Sequence, residues 1–308
     1  MSLNSGLNAN DVKQALDDVF NPVYNAEKHP RYATAETPSV FKQETDDKSA
    51  VIMEIFKGVG QWESISEEQD FPQASPGIGD QKTFTHTEFA KSVAIPKRFF
   101  DDDMHAVYEK MVSNFARRAR TTRDSNAFAV FRNAFTTATT ADAVALISDS
   151  HVNRSGTTID NKVTGAFAED KLETAIVQLL EMKAHDDVVD GSLAEVLLVP
   201  PALFKDAIEV TQSELRSATP DNDINVYLSE YGFMVFTSQY LGAAAGGSDA
   251  AWFLLGDNHS ILRFVRQGVQ TNLVDYTIAP NHSYRYDGNF RESVGAMDFT
   301  GIVGSNGS

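Results

Sequence analysis

Two segments, VIMEIFKGVGQW (Val51–Trp62) and TFTHTEFAKSVAI (Thr83–Ile95), are followed by MHAVYEKMVSNFARRARTTRDSNAFAVFRNAF (Met104–Phe135), and their order decides the fold. The first two are rich in β-branched and aromatic residues. In the second, Phe89, Val93 and Ile95 mostly alternate with Glu88, Ala90 and Ser92, as a half-buried strand requires. Between them Glu63–Lys82 holds Glu67, Glu68, Asp70, Pro72, Pro76, Gly77 and Gly79, the composition of a loop tip. The pattern predicts a long hairpin. A lone two-stranded ribbon is marginal in water and exposes unpaired edges, so it needs another surface, in its own molecule or in a partner.

Pro96 ends the second strand, and Asp101–Asp103 place negative charge where a helix start favours it. From Met104 to about Phe135 there is no Pro or Gly, with Val107, Met111 and Phe115, then Phe128, Phe131 and Phe135, at helical spacing. Such a helix is a rod of roughly 48 Å without sustained heptads, suited to packing along a sheet.

Upstream, residues 1–50 read as poorly committed to a core. A short helix over Leu7–Phe20, with Ala15, Leu16, Val19 and Phe20 on one side, precedes a polar stretch broken by Pro22, Pro30 and Pro38. This predicts an extended arm ordered against something else. Downstream, helices are expected at Glu169–Lys183 and Ala202–Leu215 around a buried strand, Glu195–Val199, an α/β unit. Strands are expected at Phe233–Thr237, Trp252–Leu255, Ile261–Val265, Thr271–Ile278, Tyr284–Tyr286 and Ser293–Asp298. The class is α+β.

Composition narrows the function. The 308 residues carry a formal charge of −17 and no cysteine. Tight binding of nucleic acid by a free subunit is excluded by that charge, and disulfides and thiolate metal sites by the missing thiols. Met1–Phe20 is too polar for a signal peptide, and no apolar run approaches a membrane span. Within the acidic chain, residues 104–135 hold six basic against two acidic residues. Arg117, Arg118, Arg120 and Arg123, with Arg132 beyond, form the one dense positive run. It fits contact with a nucleic-acid backbone or, in better accord with the net charge, pairing with acidic surface on another subunit.

Clusters that suggest catalysis are weak. Ser148, Asp149, Ser150 and His151 are hydrolytic residue types, but neighbours in one loop cannot easily form a triad, and no Gly-x-Ser-x-Gly elbow accompanies them. Asp101–Asp103 with His105, and His185 with Asp186 and Asp187, read as helix ends. Gly256-Asp257-Asn258-His259 reads as a turn between strands. Gly77-Ile78-Gly79 lacks the strand–helix context of a phosphate loop. No catalytic, cofactor or metal residue is assigned. The candidate subunit-interface residues are Glu67, Glu68, Asp70 and Phe71 on the hairpin tip and Arg117, Arg118, Arg120 and Arg123 on the helix.

The order of arm, hairpin, long helix, α/β unit and β-rich end resembles the Hong Kong 97-type phage capsid fold. Particular motifs resemble the Mu-like major head subunits: Ser148-Asp149-Ser150-His151-Val152-Asn153, Gly156, Asp160-Asn161 and Gly165, then the Leu172–Lys183 helix. Leu197-Leu198-Val199-Pro200-Pro201-Ala202-Leu203, Asn222–Asn225, Ser238-Gln239-Tyr240-Leu241 and Ala251-Trp252-Phe253-Leu254-Leu255 continue the likeness, which covers the chain from about Glu88 onward.

The resemblance implies an N-arm (1–50), an E-loop β-hairpin (51–98), a P-domain with its spine helix (99–165), an A-domain (166–250) and a β-rich return (251–308). It implies a structural protein without cofactor, whose hexamers and pentamers build an icosahedral shell around double-stranded DNA bound without sequence specificity. The N-terminus is short for a built-in scaffolding domain, so a separate scaffold protein or prior processing is expected. A portal, a maturation protease and a decoration protein are further expected partners, and no membrane is involved. Assembly in the bacterial host cytoplasm, and a final place in the virion capsid, are expected. Lys82 and Lys91 lie in the hairpin, without evidence for crosslinking. The alternatives are an encapsulin-like compartment shell and, remotely, a metal-dependent hydrolase using His151 or Asp257–His259.

Overall fold

The computed structural model describes residues 9–26, 40–56, 58–67, 70–73, 77–102, 104–153, 156–213, 227, 232 and 234–308. Expectations placed on Glu68, Pro30, Pro38, Asp103 and Asn222–Asn225 lie outside them.

One four-stranded sheet is built on a long antiparallel ladder between β10 (Ile261–Val274) and β11 (Ser283–Ala296). Strand β4 (Thr87–Pro96) runs antiparallel along β11, from Ser283 opposite Pro96 to Glu292 opposite Thr87. Strand β1 (Lys42–Thr45) is parallel to β10 at the other edge. The four short strands expected between 261 and 298 are thus two long ones. The polar interruptions that divide them in sequence coincide with register shifts at Val265–Gln267 and Gln267–Gln270 and with a hydrated face, not with turns.

Along the other face of this sheet lies α3 (His105–Ala127), continued past Phe128 by α4 (Ala129–Arg132). The predicted long helix is therefore present, shorter at its end and broken once. The reading of residues 1–50 as uncommitted to a core is corrected. Helix α1 (Ala9–Tyr24) buries Val12, Leu16, Phe20 and Tyr24, a four-residue repeat that makes one continuous stripe. That stripe packs with Tyr108, Val112 and Phe115 of α3 and Tyr284 and Tyr286 of β11. Asp17 fixes it polarly, accepting hydrogen bonds from Tyr286 Oη at 2.5 Å and Thr271 Oγ1 at 2.7 Å. The single-sequence pattern showed the helix but not the surface waiting for it.

A second sheet has the order β12 (Ile302–Ser305), β9 (Trp252–Gly256), β7 (Ala194–Val199), β8 (Met234–Thr237). Strand β7 reads as a continuous apolar run because both of its faces are covered. Val196 and Leu198 join the core of Phe128, Phe131 and Phe253, and Leu197 and Val199 join that of Leu172, Ile176 and Trp252. The latter side carries α5 (Glu169–Leu180) and α6 (Phe204–Gln212), each a little shorter than expected. Strand β12, a four-residue edge beside Gly301, was not foreseen, nor were the single helical turn α2 (Arg98–Asp101) before α3 and the two-residue ribbon of β5 (His151–Val152) with β6 (Thr158–Ile159).

The hairpin differs in its pairing. Strand β2 (Ala50–Phe56) pairs with β3 (Ile78–Thr85), Val51 opposite Phe84 and Phe56 opposite Ile78. Only the start of the expected second strand belongs to the hairpin. Beyond His86 the chain changes partner and becomes β4. Alternation identifies the faces of a strand but not its neighbour.

Candidate functional site

The hairpin is rooted in the body and apolar toward solvent. At the root, Phe84 packs against Phe264 with ring centroids 5.1 Å apart, in a cluster with Ile55, Leu262 and Met297. Gly295 is required beneath it, since a Cβ there would meet the Phe84 ring at 2.8 Å. Lys82 Nζ donates to the Ala296 carbonyl at 2.7 Å and to that of Thr139. Burial draws the Lys82 pKa down, and the nearby Asp142 charge opposes this. Lys82 is thus an anchor of the hairpin. Farther out, Gly60 N–H donates to Asp186 Oδ2 at 3.1 Å, and the positive φ of Gly58 (65°) lets the chain pass Asp186 closely.

On the outward face Ile52, Phe56 and Ile78 are exposed, and at the tip Trp62 is 98% and Phe71 82% exposed. Apolar side chains crowded on one element, with none of the described residues over them, mark a surface meant to be covered. Glu67, Asp70 and Phe71, expected at an interface, all lie on this exposed tip, and Glu68 is outside the described residues. Sequence reasoning passed over Trp62, read as the end of a first strand that in fact stops at Phe56, and Ile65, read only as part of the polar loop.

The basic run on α3 divides in two. Arg117 and Arg118 are exposed. Arg120 Nε lies 3.9 Å from Asp124, and Arg123 donates to Tyr24 Oη at 2.5 Å and lies 3.6 Å from Glu292. Arg132 donates to the carbonyls of Tyr240 and Ser125 at 3.1 and 2.9 Å. Helical periodicity sends Arg117 and Arg118 to solvent and Arg120 and Arg123 inward, so they cannot act as one patch. Inward, they meet a node that the sequence did not reveal. Arg263, fully buried on β10, donates through Nε and Nη2 to Glu292 Oε2 of β11 at 3.0 and 2.7 Å. Asn126 of α3 donates to the other Glu292 oxygen at 3.3 Å. Helix and sheet are joined through one carboxylate.

The clusters of catalytic residue type are structural. His151 is buried, stacked on Phe299 at 4.2 Å, with Nδ1 2.7 Å from Asp142 Oδ2 and Nε2 3.4 Å from the Leu146 carbonyl. Ser148 and Ser150 bond to one another at 2.9 Å and not to His151, so no nucleophile faces the imidazole. For Asp142, burial favours the neutral acid, but hydrogen bonds from His151, Thr140 and the Val144 N–H outweigh it and lower its pKa. His185 Nε2 is 2.8 Å from Asp298. Asp257 accepts from Leu193 N–H at 3.3 Å, and His259 is buried in the turn between β9 and β10, which belong to different sheets. Among the described residues no three His, Cys, Asp or Glu side chains gather as a metal site, and no helix is long and apolar enough to cross a membrane.

Similarity to known proteins agrees with a structural role. Residues 81–303, well over half of the chain, match the family described as phage capsid protein. No curated protein matches the sequence. Among solved structures, the mature capsid of bacteriophage PhiM1 is similar over 91% of this chain and 89% of its own, at 14% identity and a TM-score of 0.55. The capsid of cyanophage Pam1 is similar over 91% and 95%, at 14% identity and a TM-score of 0.54. A virus-like particle from Pyrococcus furiosus is similar over 96% and 99%, at 6% identity and a TM-score of 0.55. At such identities the likeness is one of fold. It bears out the mixed α+β, Hong Kong 97-type architecture, while the family match favours a phage shell over a compartment shell and does not distinguish a Mu-like subdivision. The chain belongs to the phage capsid protein family, whose members are structural subunits that assemble in many copies into the virion shell and are not enzymes.

Proposed function

We propose that this chain is the major head subunit. Its hexamers and pentamers tile an icosahedral shell around double-stranded DNA, and its β2–β3 arm lies across a neighbouring copy. The observation that supports this most directly is the outward face of the arm, where Ile52, Phe56, Ile78, Trp62 and Phe71 stand uncovered on an element rooted firmly in its own subunit. Burying apolar area at about 25 cal/mol per Å² makes such a face a strong adhesive between copies. The N-arm, P-domain and A-domain correspond in this proposal to residues 1–50, 99–165 and 166–250, with 251–308 returning to the latter two; of the expected E-loop (51–98), the β2–β3 part is the arm, whereas β4, paired with β11, belongs to the body. Assembly takes place in the bacterial host cytoplasm with a separate scaffold protein, a portal and a maturation protease, and a decoration protein binds the finished shell. DNA is held by confinement, in keeping with a subunit charge of −17.

Deleting residues 63–79 tests the arm's role. The shortened subunit should keep its circular dichroism spectrum and cooperative unfolding yet form no closed particles by electron microscopy. Loss of the fold itself would show that the arm serves its own subunit.

A further inference from the structure

His185, Asp186 and Asp187 are adjacent in the loop between α5 and β7, and they divide two tasks. The outer two brace the loop on the body. His185 Nε2 lies 2.8 Å from Asp298 Oδ2, with its ring edge-on to Phe299 at 5.3 Å, and the Asn153 amide donates to the Asp187 carboxylate. The loop also closes on itself, through the Val188 N–H, which donates to Asp186 Oδ1 at 3.3 Å, and through the bridge between Lys183 and Val189. The other oxygen of the middle residue, Asp186 Oδ2, is thereby held out to the arm, where it accepts the Gly60 N–H at 3.1 Å.

The arm is shaped to meet it. Pairing of β2 with β3 stops at Phe56 opposite Ile78, and just beyond it Gly58 and Gly60 both take left-handed φ, 65° and 78°. A Cβ on Gly58 would stand 2.8 Å from Asp186 Cβ, so the carboxylate fits only against glycine. Two such glycines one residue apart can absorb a large change of chain direction, as hinge positions do. The contact is polar and local, since a cleft of about 340 Å³ lined by Phe56, Val188, Val189 and Asp190 takes the place of an apolar seal. The root differs, with Lys82 donating to two carbonyls and Phe84 buried against Phe264. The arm thus has a fixed base on the first sheet and a carboxylate tie to the second-sheet unit.

We propose that Asp186 is the catch of a hinge at Gly58–Gly60 and sets the direction of the outer arm in the free subunit. The tip is not hidden while the catch is engaged, since Trp62 and Phe71 stand exposed. The contact therefore aims the tip rather than masking it, and the ordering cost of joining another copy is met before the encounter. One hydrogen bond to a partly exposed carboxylate biases such a hinge about tenfold. This rests on the shell-subunit reading and assigns the residue of the arm's own subunit that readies it.

Full-length Asp186→Ala subunits test it by two readouts. Before assembly, hydrogen exchange at residues 59–62 should quicken about tenfold, with residues 78–85 and the circular dichroism spectrum unchanged. In assembly followed by light scattering, half-conversion to particles should need about tenfold more protein. Gly58→Cys with Asp186→Cys, in a chain that has no other cysteine, replaces the catch by a disulfide, the two Cβ positions being near enough to bridge. Oxidised, this variant should assemble at the wild-type concentration, and reduced, it should behave as Asp186→Ala. Unchanged exchange in Asp186→Ala, failure of the folded cysteine pair to oxidise, or oxidised subunits that assemble no better than reduced ones overturns the inference. Faster assembly of Asp186→Ala overturns it too, as the mark of a catch that restrains the arm. Absence of particles from wild-type protein overturns the shell reading instead, and exchange and crosslinking then still decide the catch.

Discussion

Replacing Glu292 by Gln removes one charge and almost no volume from the centre of the helix–sheet junction. In the native subunit Glu292 Oε2 takes two hydrogen bonds from Arg263, whose side chain is 0% exposed, and lies 3.6 Å from Arg123. Glu292→Gln takes away the carboxylate that pairs with the buried Arg263 guanidinium, and losing one partner of a buried pair costs about 3–5 kcal/mol. Arg123 adds little, because its side chain is 12% exposed and keeps its bond to Tyr24. For a chain of this size 1 kcal/mol moves the midpoint by about 2–4 °C, so the loss corresponds to roughly 6–12 °C at the lower bound. Urea and thermal unfolding of unassembled subunits, followed by far-ultraviolet circular dichroism, read it directly. The double variant Glu292→Leu, Arg263→Met should recover to within about 1.5 kcal/mol of wild type, since apolar groups of like volume replace such pairs at little cost. A loss below about 1 kcal/mol for Glu292→Gln would refute the reasoning and mean that water already reaches the pair.

Two further outcomes follow from the packing and from the carboxylates. Phe20→Ala should destabilise the subunit by about 3–5 kcal/mol and expose α1 to hydrogen exchange ahead of the sheet; no effect would return α1 to the status of an uncommitted arm. The Asp142 pKa is lowered in the fold, so its contribution is complete above its ordinary value of 3.8 and is lost as pH falls below that through the folded value. Asp142→Asn should therefore flatten the acid side of the stability curve and lower stability near neutral pH, and an unchanged acid slope would contradict this role.

The sequence revealed the fold where pattern and environment agree. The β7 run Val196–Val199 and the amphipathic helices at Glu169–Leu180 and His105–Ala127 each present a face that burial then uses. It was silent where meaning depends on a partner distant in the chain. Thr87–Pro96 has good strand alternation, but nothing in it points to β11, about 200 residues later in the chain, as its neighbour. Val12, Leu16 and Phe20 form a stripe whose acceptor is Phe115 and Tyr286, invisible to any local window. Arg263 and Glu292 read separately as unremarkable polar residues in strands, and only the β10–β11 pairing brings them together. The interface was half legible: the acidic tip stood out by charge, whereas Trp62 and the outward Ile52, Phe56 and Ile78 became evident only once their exposure was known.

The most direct measurement is cryo-electron microscopy of the full-length chain expressed alone and with the proposed scaffold protein. The account predicts closed icosahedral particles of hexamers and pentamers, with density for each β2–β3 arm crossing onto an adjacent subunit. A monodisperse monomer under both conditions, or a shell in which every arm folds back on its own subunit, would contradict it.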